Sequence, residues 1–130
     1  MSKNTDLVEV GRYGAVTNGV NDFSVAQRTT EVQLAWAASI EIDFAAGNDF
    51  YIDTTSATGE MTITVANVPT SGTNQSGVIT IEYNATYTSP TWDALFKNTP
   101  TDLTGTETNM SFGYQIVKGS ILLGSKVEWS

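Results

Sequence analysis

Neither cysteine nor histidine occurs among the 130 residues of this chain. Without cysteine there is no disulfide framework and no thiolate chemistry. Without histidine the commonest general base is missing, and losing both removes the usual ligands for zinc, copper and iron. Any metal site would have to be built from oxygen, which confines it to hard cations such as calcium. Positive charge is scarce as well: six Lys and Arg stand against 14 Asp and Glu, a formal net charge of −8. The bases are scattered singly from Lys3 to Lys126. No basic cluster is available to neutralise phosphates or an anionic bilayer, so neither nucleic acid nor a membrane is an expected partner. No apolar run approaches a membrane span, and the opening residues MSKNTDLVEVG lack the apolar core of a signal peptide. Synthesis in the cytosol without export by the usual route is the expectation.

What the chain does hold is uncharged polarity and alternation. Charged residues make up 15% and apolar ones 40%, enough for the core of one domain; Thr, Ser, Asn and Gly fill the remainder. Ile40, Ile42 and Phe44 alternate with Glu41 and Asp43; Met61, Ile63 and Val65 alternate with Thr62 and Thr64; Ile79, Ile81 and Tyr83 alternate with Thr80 and Glu82. A period of two marks half-buried strands with one apolar face and one wet face. Further strands are expected at 31–36, with Val32, Leu34 and Trp36 on one face, and at Phe50 to Asp53. Pro69 cannot donate to a ladder and should close the strand before it. Thr86 to Ser89 extends or resumes the strand before Pro90, and Trp92 to Phe96 reads equally as a helical turn or a short strand.

Met110, Phe112, Tyr114 and Ile116 open the clearest hairpin; Lys118-Gly119-Ser120 turns it, and Ile121 to Trp129 returns. Ile121, Leu123, Val127 and Trp129 are expected to share one face of the return strand. These strands, with no convincing helix, predict an all-β fold: a single antiparallel β-sandwich or jelly-roll domain over residues 31–130. Residues 1–30 differ. They mix short apolar pieces with turn signals such as Asn18-Gly19, and fit a disordered tail, a docking arm or an irregular strand pair. The spaced hydrophobes favour an extended N-terminal arm, with Leu7, Val8, Val10, Tyr13 and Val16 as the anchoring candidates.

Catalytic chemistry finds little footing. Ser and Thr are plentiful, but a hydroxyl nucleophile needs an activating base, and nothing singles out a carboxylate pair for glycoside hydrolysis. Glu41, Asp43, Asn48, Asp49 and Asp53 fall within thirteen residues, yet lack the alternating acids and central glycine of a dedicated calcium loop. A solvated sheet face is the simpler account. Asn74-Gln75-Ser76, Asn84-Ala85-Thr86 and Asn109-Met110-Ser111 match the glycosylation pattern, which a Thr-rich chain produces by chance. Among the aromatics, Trp36 and Trp129 are in phase with aliphatic strand positions. Trp92, in the loop between Pro90 and Pro100, is the one expected at the surface. With Tyr87 it forms the candidate stacking pair for a sugar.

From about Leu34 to Trp129 the chain resembles a β-structured module of tailed-bacteriophage virion proteins, particularly fibre and appendage proteins. The resemblance is carried by Ile42-Asp43-Phe44-Ala45-Ala46-Gly47-Asn48-Asp49-Phe50 and by Met61-Thr62-Ile63-Thr64-Val65-Ala66-Asn67-Val68-Pro69. A Gly-rich turn, Val78-Ile79-Thr80-Ile81-Glu82 and a last strand ending Val127-Glu128-Trp129 complete it. Such modules are small sandwiches that assemble as trimers on the particle surface. The chain departs from them in having no long repetitive shaft. The resemblance therefore implies a non-enzymatic virion protein without cofactors, made in the host cytoplasm. It would be a homotrimeric capsid decoration protein, or a short head or tail fibre, resting on major capsid or tail proteins. A carbohydrate-binding adhesin that holds a host surface glycan is the alternative.

Overall fold

The computed structural model describes residues 30–84, 86–100 and 108–130, and in them every regular element is a strand. The order is β1 Glu31–Ala35, β2 Ser39–Asp43, β3 Asp49–Asp53, β4 Thr62–Ala66, β5 Gln75–Glu82, β6 Thr91–Trp92, β7 Phe96–Lys97, β8 Asn109–Val117 and β9 Ser120–Trp129. They form two sheets. One has six strands in the order β1-β3-β5-β8-β9-β7, the other three in the order β2-β4-β6.

The expected antiparallel sandwich or jelly roll is met only in part. Antiparallel pairing is confined to β5 with β8 and β8 with β9. β1, β3 and β5 run parallel, as do β2, β4 and β6, and β7 runs parallel to β9. The physical reason lies in the connections. Parallel neighbours need a crossover between them. Here each connection from β1 to β6 carries the chain into the other sheet, so a strand of the opposite sheet is itself the crossover. Glu31 then pairs with Asp49 and Asp49 with Val78, while Ser39 pairs with Thr62 and Thr62 with Thr91. Alternation reports which side chains point inward and says nothing of strand direction. The N-terminal arm and its anchoring candidates Leu7, Val8, Val10, Tyr13 and Val16 lie outside the described residues.

The ambiguous Trp92 to Phe96 segment resolves into the short strands β6 and β7, joined by a turn in which Phe96 N–H donates to Asp93 O at 3.0 Å. The hairpin is as the sequence reads. Lys118 and Gly119 both take positive φ, 52° and 80°, between the paired residues Val117 and Ser120. Two such residues make the turn whose twist suits a hairpin.

One core joins the two sheets. Phe50, Ile52, Ile79, Ile81, Phe112 and Ile116 of the larger sheet are buried in the same cluster as Ile40, Ile42 and Ile63 of the smaller. Its aromatic contacts are edge-to-face. Phe44 meets Phe50 at 5.5 Å and Tyr114 at 5.4 Å, and Trp92 meets Phe96 at 5.1 Å and Phe112 at 6.0 Å. The turn from Phe44 to Asn48 is fixed from below. Gln75 Nε2 donates to the carbonyls of Phe44 and Gly47, and Tyr114 donates to Asn48 O at 2.6 Å. Gly77 must lack a side chain there, because a Cβ would stand 1.9 Å from Asn48 O.

Candidate functional site

The outer face of the six-stranded sheet is the most distinctive surface among the described residues, and a bulge in β9 creates it. Opposite Gly113, between the pairs Tyr114–Leu123 and Phe112–Lys126, β9 carries one residue more than β8. An extra residue reverses the facing of everything beyond it. Ile121 and Leu123 are buried as expected, but Val127 is 64% and Trp129 41% exposed. The expectation that all four share one face therefore fails at Gly124-Ser125. Lys126 and Glu128 take the other side and pair with each other at 3.2 Å. An isolated glycine inside a strand pattern was the available signal for a bulge.

Reading across the face, Val127 stands opposite Ser111, Ser111 opposite Thr80, and Thr80 opposite Tyr51. Thr80 and Ser111 join their hydroxyls at 2.7 Å. In the next row Trp129 stands opposite Asn109, Asn109 opposite Glu82, and Glu82 opposite Asp53. Toward the other end of the strands Gly113 and Gly124 floor an open depression of about 560 Å³, lined also by Ser76, Val78, Gln115 and Leu122. Val78 and Leu122 are exposed apolar walls to it. Four large apolar side chains thus stand on one face, with a side-chain-free floor between two of them.

The other half of the face is acidic. Tyr51 donates its hydroxyl to Glu82 Oε1. That bond, with burial and the negative charges of Glu82, Asp53 and Glu31, pushes the phenol up to about 12. Asp53 accepts from Thr55 N–H and Oγ1, which holds its carboxyl below the usual range. No Lys or Arg occurs in β1, β3, β5 or β8.

The residues singled out from sequence fare differently. Glu41 and Asp43 belong to β2 in the smaller sheet, Asp49 and Asp53 to β3 in the larger, and alternation turns each pair to the outside of its own sheet. The acidic cluster is thereby split between two surfaces. Asp43 is engaged locally, accepting from Ala45 N–H at 2.9 Å and Asn67 Nδ2 at 2.7 Å, and these bonds lower its pKa. Among the described residues no group of three or more His, Cys, Asp and Glu could hold a metal. Trp92 is half-buried, with its ring against Phe96 and Phe112 and its indole nitrogen buried without a partner among the described residues. The ring expected to stack on a sugar is packed against the core instead. Tyr87 is half-buried in the loop that follows β5, where its N–H donates to Asn84 O. No protein-family model matches the chain, and no curated protein or solved structure is significantly similar to it.

Proposed function

We propose that this chain is a non-enzymatic structural protein of a tailed-bacteriophage particle, a homotrimeric decoration or short fibre protein that works by burying its surface against other proteins. The observation that carries this reading is the outer face of the six-stranded sheet, where Val78, Leu122, Val127 and Trp129 are all exposed. An apolar set rimmed by polar residues is characteristic of a protein contact surface. The likeness of the chain from about Leu34 to Trp129 to virion modules supports the biological setting, and the threefold state is taken from those modules. The sheet edges agree with assembly. β1, β7, β2 and β6 end their sheets among the described residues, and open edges invite pairing unless covered. Sedimentation equilibrium of the full chain tests the oligomer: a trimer is expected, and a strict monomer across the accessible concentration range overturns the homotrimeric part of the reading.

A further inference from the structure

We propose that the outer face of the six-stranded sheet docks a basic protein surface, one that presents apolar side chains beside lysines or arginines. The inference rests on the assembly reading and names the partner of that face. The apolar half supplies the anchor. Trp129 and Val127 stand proud of β9, and Val78 and Leu122 flank a depression whose floor is the backbone of Gly113 and Gly124. An apolar side chain of the partner fits there because nothing occupies the space that a side chain on Gly113 would fill: a Cβ at that position meets no atom within 4 Å.

Charge decides the occupant. Glu31, Asp53 and Glu82 gather around Tyr51 on the same face, and all three raise its pKa through their negative charge. Glu82 is two strands from Trp129 in one row, a separation of about 10 Å at the ordinary strand spacing. A second copy laid on this face would bring too few cations: β1, β3, β5 and β8 carry no Lys or Arg, and Lys97 of β7, in register with Leu122 at the far edge of the face, sets a single ammonium, already donating to Ala94 O, against Glu31, Asp53 and Glu82. A partner with lysines or arginines beside its apolar residues satisfies both halves, and its cations can also rest on the Tyr51 and Trp129 rings.

The test uses the full chain and synthetic peptides: one alternating leucine and lysine, one alternating serine and lysine, and one alternating leucine and glutamate. Binding is read by the anisotropy of a labelled peptide. The leucine–lysine peptide is expected to bind best, with affinity falling as salt rises. Trp129→Ser should weaken it about tenfold, as expected for an aromatic anchor. The pair Glu31→Gln and Glu82→Gln should weaken it about fivefold at low salt and less at high salt. Gly113→Val puts a side chain into the depression, where its Cβ meets no atom within 4 Å, and should reduce binding with the fold intact by circular dichroism. Glu41→Gln, on the smaller sheet, should change nothing. Equal binding of all three peptides overturns the proposal, as does an equal loss in Glu41→Gln. A self-association that Trp129→Ser abolishes, with no peptide bound, also overturns it and assigns the face to a second copy. A monomeric chain that still binds the leucine–lysine peptide with this pattern leaves the docking proposal standing and removes only the trimer.

Discussion

At the scale of single residues, the turn after β2 shows how few atoms hold a fold in register. Gly77 lies directly beneath Asn48, and a Cβ would stand 1.9 Å from its carbonyl oxygen and 2.7 Å from its carbonyl carbon. Both are backbone atoms, so no side-chain rotation relieves the clash. Gly77→Ala is expected to cost about 2 kcal/mol or more in denaturant unfolding. Tyr114 holds the same turn through Asn48 O, and burial pushes its phenol up to about 12 from the ordinary 10.0. A folded pKa above the unfolded one means that the neutral phenol is favoured in the fold. This stabilisation is fully present below about pH 10 and lost as pH rises through about 12. Tyr51 adds to the same window through its bond to Glu82. Thermal melts should therefore fall steeply between pH 10 and 12, and Tyr114→Phe should flatten that fall while lowering stability near neutrality. An unchanged alkaline slope in Tyr114→Phe would rule the assignment out.

At the scale of elements, β9 illustrates both the reach and the limit of pattern reading. Its existence, its hairpin with β8 and the burial of Ile121 and Leu123 are all legible in the sequence, because Lys118-Gly119 demands one turn and the alternation on either side is unbroken. The facing of Val127 and Trp129 was not. Two residues of like spacing point the same way only while the ladder stays regular, and the extra residue opposite Gly113 breaks it. The candidate site arises there, so it was hidden for the same reason. Gly113 supplies the element-scale prediction. It sits mid-strand, its φ is not in the left-handed region, and a Cβ there touches nothing. Gly113→Val should therefore stabilise the protein, by about 0.5–1 kcal/mol, since glycine weakens a strand that a β-branched residue suits. Denaturant unfolding at neutral pH measures it, and a loss of stability would show that the bulge itself needs glycine on both strands.

At the scale of the whole molecule, two sheets of unequal width share one core, and among the described residues no further strand pairs with β1, β7, β2 or β6 at their edges. An assembly that covers those edges couples folding to association, so the melting temperature should rise with protein concentration if the chain is a trimer; a concentration-independent melt would agree with a monomer. The composition alone excluded cysteine and histidine chemistry, and the period of two alone established strands and chose the core, from Ile40 and Ile42 through Ile63, Ile79 and Ile81 to Phe112. Those conclusions depend on residue identity and local geometry, which a sequence carries in full. Parallel stacking of β1, β3 and β5, the division of Glu41 and Asp43 from Asp49 and Asp53 between two surfaces, the inward packing of Trp92 and the outward turn of Trp129 were decided only in three dimensions. Each depends on which strand lies beside which and in what register, and that is set by connections crossing the core and by one bulged residue, not by any property of the side chains themselves.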